Sequence, residues 1–309
     1  MITSLVAMTG CSGKISEIKD SVTGGGDGKQ SVKEDPNAPD RDVTPVVNEV
    51  NAPGTAAVRG DGGTIDYSNV SAGYIMASYS GNNPKVKLQI KKSDGELYTY
   101  DLKVDGSMEA FPLSEGDGSY TVQMFFNVSG DSYMPGPQAA FDATFDQFSP
   151  YLRPNQYVYY TPQSKAITKA AEICKGSKSD LGALEKLFIF VTENVKYDYD
   201  EAANVQAGYL PDIDETLETG KGICFDYASL LSAMSRSQRI PTKLVVGYAG
   251  EAYHAWISVY LKDIGWVDNI IEFHGDEWTM MDPTFVASGD DADPNKVGDG
   301  QNYNPMYYY

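Results

Sequence analysis

Two kinds of hydrophobic periodicity divide this chain. In "KVKLQIK", Val86, Leu88 and Ile90 fall on every second residue, the spacing of a strand with one buried face. "GYIMASYS", "ELYTYDL" and "YTVQMFF" are further β-prone runs. Ser93-Asp94-Gly95, Asp105-Gly106 and Asp117-Gly118 punctuate this region with hairpin-turn signals. Beyond Pro150 the period changes. Ile167, Ala170, Ala171 and Cys174 are spaced i, i+3, i+4, i+7, and Leu181, Leu184, Leu187, Phe188 and Val191 continue in the same way. That is the stripe of amphipathic helices. The expectation is an α+β protein: a small antiparallel β-sandwich over residues 55–150, then a helix-and-sheet domain over 151–309. The β region offers no His, no Cys and no metal-ligand cluster. Its role is a spacer or a binding module.

The front of the chain reads differently. "MITSLVAMTGC" sets a short apolar run and small residues before Cys11. It resembles a bacterial lipobox, which implies removal of the residues before Cys11 and lipid attachment to that cysteine. Residues 12–54 are rich in Gly, Asp, Lys, Ser and Pro, with scattered apolar side chains. A segment of that composition cannot bury enough surface to offset its ordering entropy, so a flexible tether is expected. Lipid attachment holds an otherwise soluble protein at a membrane. The net charge of −19 fits a soluble surface protein and argues against nucleic acid as a partner, since phosphate binding needs a basic stripe. The expected location is the outer cell surface, with the lipid as the sole membrane contact.

The three cysteines, Cys11, Cys174 and Cys224, are too few and too uneven for a disulfide framework. Cys174 sits on an apolar helical stripe and reads as a small core hydrophobe. Cys224 is different. "GKGICFDYASLL" places it after Gly220 and Gly222, where Ala228, Leu231 and Met234 begin a helical stripe. The unpaired amides and positive dipole end of a helix N-terminus favour a thiolate. Glycines ahead of it permit close backbone approach. A thiol nucleophile requires a base, and the base an orienting group. Of the two histidines, His274 lies in the acidic stretch "EFHGDEW" and reads as a surface loop residue. His254 opens the strand "YHAWISVYL", with Trp256, Ser258 and Tyr260 on its face. "EWTMMDPTF" is a second strand ending at Asp282.

With "VKYDYD", these motifs occupy residues from about Leu181 to Phe285, and together they resemble the bacterial transglutaminase-like superfamily. The resemblance implies a papain-like core, in which a catalytic helix packs on an antiparallel sheet. It implies Cys224 as nucleophile, His254 as base and Asp282 as the group that orients the imidazole. The Cys224 amide would be one oxyanion donor. Tyr197 is a candidate for the side-chain donor, Asp226 supports the helix N-terminus, and Trp256 packs beside the histidine. The implied activity is thiol acyl transfer on amide bonds of protein or wall peptide, with hydrolysis favoured over crosslinking. A glutamine transamidase and a non-catalytic binding scaffold are the alternatives.

No cofactor is required by these residues. Asp291, Asp293 and Asn295 are spaced as in a calcium loop, but Lys296 stands at its glycine position and no Glu closes it. No metal site is assigned. The Tyr-rich end "NYNPMYYY" is expected to pack back on the second domain. The lipid reading has a direct test: Cys11→Ser should move the protein from the membrane fraction to the soluble one, and continued membrane association would refute it.

Overall fold

The computed structural model describes residues 37–250, 252–262, 264–268, 271–274, 277–280 and 303–309, with only the backbone of 252, 271–274 and 277–280. The protein is α+β and forms two compact units. One comprises Val47–Thr161 with Tyr307–Tyr309. The other comprises Pro162–Met306 with residues 37–46.

The β unit is built from β1 (Ala57–Gly60), β2 (Gly63–Asp66), β3 (Tyr74–Tyr79), β4 (Val86–Lys92), β5 (Leu97–Leu102), β6 (Glu109–Pro112), β7 (Gly118–Ser129) and β8 (Ser132–Ala143). They form two antiparallel sheets, ordered β1-β2-β3-β6 and β5-β4-β7-β8. The alternation read from the sequence is real. Val86, Leu88 and Ile90 of β4 are buried, as are Tyr120, Val122, Met124 and Phe126 of β7. Strand β3 does not alternate, because all of its residues are buried.

Residues 37–54, expected as part of the tether, are a correction. Asn51 donates its amide to the Tyr74 phenol oxygen at 3.2 Å, and Gly54 donates to Asp66 Oδ2 at 2.6 Å. Val50 and Ala52 pack against Tyr74, Met76 and Ala110. The composition told correctly that this stretch has no core of its own. It could not tell that neighbouring segments would satisfy its backbone. Tyr307–Tyr309 belong to this same unit, not to the second domain. Tyr309 packs edge-on against Tyr157, with ring centroids 4.6 Å apart, and against Tyr100 at 5.8 Å. Aromatic rings favour this geometry.

The second unit holds α1 (Lys165–Ile173), α2 (Asp180–Asn194), β9 (Lys196–Tyr197), α3 (Tyr199–Asn204), α4 (Ile213–Thr219), β10 (Lys221–Gly222) and α5 (Cys224–Ser237). After these come β11 (Thr242–Ala249), β12 (Ala252–Leu261), β13 (Gly265–Val267), β14 (Ile271–His274), β15 (Glu277–Met280) and β16 (Tyr303–Tyr308), of which the residues up to Met306 belong to this unit. The main sheet runs β13-β12-β11-β16, and β14 pairs with β15 as a separate hairpin. Helix α5 packs against α1, α2 and α4 and against β11 and β12. Every residue from Asp226 to Ser237 is buried, so it is a core helix, not one with a single apolar face. The buried Tyr227 hydroxyl donates to Val195 O at 2.6 Å and fixes the helix to the segment that follows α2. No helix among the described residues is long and apolar enough to cross a membrane.

The far end of α5 is held by residues 41–46. Arg41 donates to Gln238 O at 2.6 Å, to Gln238 Oε1 at 3.2 Å and to Asp180 Oδ1 at 2.7 Å. Val46 donates its amide to Ser237 O at 2.9 Å. A helix C-terminus leaves carbonyls without intrahelical partners, and a cation is favoured there. Arg239, at φ 65°, turns the chain out of the helix and donates to Thr44 O at 2.8 Å and to Asp42 O. Arg41→Ala should therefore destabilise this unit by about 2 kcal/mol. The urea midpoint measures it, and an unchanged midpoint would show that the Arg41 side chain contributes nothing.

Candidate active site

The region around Cys224 is built by glycine geometry. Gly220 ends α4 in the left-handed conformation (φ 62°), where its amide donates to Thr216 O. This conformation favours glycine, and a Cβ there would come within 2.8 Å of Asn194 O. Residues Lys221 and Gly222 then pair in parallel with Lys196 and Tyr197. Lys196 donates to Gly220 O at 2.9 Å and Asp198 to Gly222 O at 3.0 Å. A Cβ on Gly222 would lie 2.6 Å from the Asp226 Cβ, so only glycine lets this strand sit against the first turn of α5.

Cys224 is the first residue of α5, and Ile223 is its N-cap in extended conformation. The amides of Asp226 and Tyr227 reach Ile223 O at 2.9 and 3.2 Å. Ile223 has no polar side chain to cap with, so the cap is one-sided: Asp226 Oδ2 accepts the Ile223 N–H at 2.8 Å. The other oxygen, Oδ1, accepts the Tyr209 hydroxyl at 2.7 Å. Cys224 and Phe225 are partly exposed at the start of a helix that is buried from Asp226 to Ser237. Cys174 is fully buried, its Sγ faces Ala183 O at 3.8 Å, and burial pushes its thiol up to about 11.

His254 is the third residue of β12 and pairs with Gly247 of β11. It is 9% exposed. Its ring stacks on Trp256, with centroids 6.2 Å apart, and Tyr303 stands edge-on to Trp256 at 4.9 Å. Gly247 makes room for this group, since a Cβ there would meet Asn304 O at 2.2 Å and the Trp256 ring at 2.9 Å. The expected half-buried strand is buried on both faces from His254 to Val259.

The sequence candidates thus fall into two groups on packed elements. Cys224, Asp226 and the backbone of Tyr197 lie together. His254 and Trp256 lie together on the strand against which α5 packs. The Tyr197 ring packs edge-on against Tyr199 at 5.0 Å. Cys11, Asp282, Asp291, Asp293, Asn295 and Lys296 lie outside the described residues. His274, read from sequence as a loop residue, ends strand β14 opposite Glu277. Among the described residues no group of three His, Cys, Asp or Glu side chains gathers as metal ligands.

Sequence reasoning missed Tyr209 and the helices around it. Helices α3 and α4 form on either side of it. Asp198 accepts from the amides of Asp200 and Glu201, and Asp212 from those of Asp214 and Glu215. In both cases an Asp precedes a Glu by three residues, the capping signature that could have revealed these helices.

Residues 167–269 match the family model of the transglutaminase-like superfamily. The chain carries a transglutaminase-like domain. The UPF0252 protein MJ1282 of Methanocaldococcus jannaschii is 29% identical over 115 residues, and the match spans 33% of this chain and 33% of that protein. A candidate cysteine protease from Cytophaga hutchinsonii is 14% identical, with a TM-score of 0.36 over 82% of this chain and 81% of that one. Red sea bream transglutaminase is 12% identical, with a TM-score of 0.27 over 70% of this chain and 49% of that one. At these TM-scores neither structural likeness carries an argument.

The Asp226 carboxyl is raised from 3.8 to about 6. Burial is the main cause, and Glu201 and Glu215 add to it, against the pull of the Ile223 and Tyr209 hydrogen bonds. A raised carboxyl means that the folded protein holds this proton more tightly than the unfolded chain. The carboxyl's contribution to stability is therefore full below pH 3.8 and is lost as pH rises through about 6. Asparagine keeps an acceptor for Ile223 and removes the buried charge. Asp226→Asn should gain stability over the wild type by up to about 3 kcal/mol between pH 4 and pH 7. Urea unfolding across that range measures it, and a constant difference would remove the carboxylate as a pH-linked group.

Proposed function

We propose that this protein is a cell-surface thiol acyl-transfer enzyme that cleaves amide bonds of protein or wall peptide, with Cys224 as nucleophile, His254 as base and Asp282 as the group that orients the imidazole. The observation that carries the reading is the contrast at α5. A helix buried from Asp226 to Ser237 leaves its first residue, a cysteine, partly open to solvent. That cysteine precedes the helix's own i→i−4 bonding, where backbone amides favour an anion. The strand carrying His254 packs against the same helix.

In this reading the thiolate attacks the amide carbonyl. The new C–S bond forms as the C–N bond breaks, and the imidazolium gives its proton to the departing amine. In this reading the Cys224 amide is an oxyanion donor. Water then attacks the thioester, the imidazole takes its proton, and the acid and the free thiol are released. An amine in place of water would give transamidation through the same intermediate. Water is favoured because the thiol is reached from solvent and water is the acceptor always at hand. Surface location rests on the lipobox-like sequence at Cys11.

Reactivity is the direct test. Iodoacetamide should label Cys224 faster than Cys174 well below pH 8, and His254→Ala should abolish the difference. Peptide mass spectrometry reads both cysteines in one sample. Cys224→Ala should lose at least about a thousandfold of amide-cleaving activity while keeping its fold. Equal labelling of the two cysteines would favour the binding-scaffold alternative.

A further inference from the structure

The loop between α3 and α4 meets the first turn of α5 at one buried carboxylate. Asp226 is 1% exposed, and its two oxygens serve donors from two different segments. Oδ2 takes the Ile223 amide at 2.8 Å, and Oδ1 takes the Tyr209 hydroxyl at 2.7 Å. Hydrogen bonds to an ionised carboxylate are about twice as strong as neutral ones. Tyr209 is itself fixed in a turn, its amide donating to Gln206 O at 3.2 Å, after Gly208 at φ +86°. The chain of contacts runs from the loop through the phenol and the carboxylate to the peptide immediately before Cys224. That carboxylate is packed so closely on Gly222 that a Cβ there would collide with it.

An N-terminal cap alone needs only one carboxylate oxygen and the Ile223 amide. The second oxygen could be hydrated at the surface of an ordinary helix. Here it is sealed from water and matched by a single hydroxyl from a loop outside the helix. We propose that Tyr209 is a positioning residue for Cys224: its phenol holds the Asp226 carboxylate, and the carboxylate fixes the Ile223–Cys224 peptide and with it the thiol and the Cys224 amide. This rests on the reading of Cys224 as the nucleophile. Small displacements of a reacting group cost large factors in rate, so loosening this contact slows attack by the thiol.

The arrangement depends on pH. The groups that act on Asp226 are Tyr209 from the loop, Glu201 from α3 and Glu215 from α4. Two of the three are anionic, and with burial they disfavour the charged carboxylate, while the phenol favours it. A protonated carboxyl accepts poorly from two donors at once. The Cys224 peptide is therefore held best above the titration of Asp226 and loosens as pH falls through it. Removing the phenol makes the anion less favourable and moves that titration upward.

The test is iodoacetamide labelling of the full chain from pH 5 to pH 9, read at Cys224 and Cys174 by peptide mass spectrometry. Wild type, Tyr209→Phe and Asp226→Asn are compared. Tyr209→Phe should label Cys224 about tenfold more slowly at neutral pH, with the acid limb of its profile moved up by about half a pH unit or more. Cys174 labelling should stay at its wild-type rate, which shows that the core is intact. A merely structural cap would change stability and leave the profile at Cys224 in place, so a wild-type rate and profile in Tyr209→Phe overturns the proposal. Should Tyr209→Phe expose Cys174 through unfolding, Asp226→Asn carries the test. It keeps an acceptor for Ile223 and should flatten the part of the acid limb that Asp226 contributes, whereas an unaltered limb overturns the proposal. Failure of the underlying reading looks different: in wild type itself Cys224 would label no faster than Cys174.

Discussion

The second unit depends on the burial of α5 on every side. A helix enclosed by three other helices and a sheet cannot slide or rotate without opening packed surfaces, and protein interiors leave little free volume for such movement. Its sequence suits enclosure. Between the large residues Tyr227, Leu230, Leu231 and Met234 stand Ala228, Ser229, Ser232, Ala233 and Ser235, all buried, and small side chains let neighbouring elements approach closely. Each end is fixed by a different device. At its C-terminus, Arg41 and the backbone of residues 41–46 satisfy carbonyls that the helix cannot satisfy itself. At its N-terminus the Asp226 carboxylate accepts the Ile223 amide, and a short parallel strand pair fixes the segment that leads into the helix.

That rigidity gives the partly exposed cysteine at its start its chemical significance. A cysteine at the first residue of a mobile surface helix would have amides nearby but no fixed direction. Here the helix axis, the strand leading into it and the first-turn carboxylate all constrain where the thiol sits. The two glycines ahead of Cys224 have separate tasks. Gly220 supplies a left-handed turn out of α4, and Gly222 supplies empty space beside Asp226. Across the sheet, Gly247 has the matching task of leaving space for Trp256, on which the His254 ring stacks.

Much of this was legible in the sequence because it depends on local rules. Period two gave β4 and β7, and helical period gave α1, α2 and α5. Cys174 stood out as a core residue and Cys224 as the start of a helix, since each follows from spacing along a single element. Residues 37–54 were misread because their order depends on partners far away in the chain: Arg41 bonds to residues 139 and 197 positions later. Tyr303–Met306 of the Tyr-rich tail do lie in the second unit, and only Tyr307–Tyr309 join the β unit, as aromatic rings can complete any apolar surface that offers an edge or a face. The helices α3 and α4 were readable and were passed over. Their capping carboxylates are in the sequence, but helices of six and seven residues carry too little apolar periodicity to draw notice.

By itself, then, the sequence determined the α+β class, the succession of a β region and a helix-and-sheet region, and which cysteine opens a helix. These are properties of residues a few positions apart, set by backbone sterics and hydrophobic period. Only the tertiary structure decided that α5 is buried all round, that residues 41–46 close its far end, and that the Tyr209 hydroxyl meets Asp226. Those contacts join segments that share no local pattern. They exist because buried polar groups must find partners wherever the packed chain brings them.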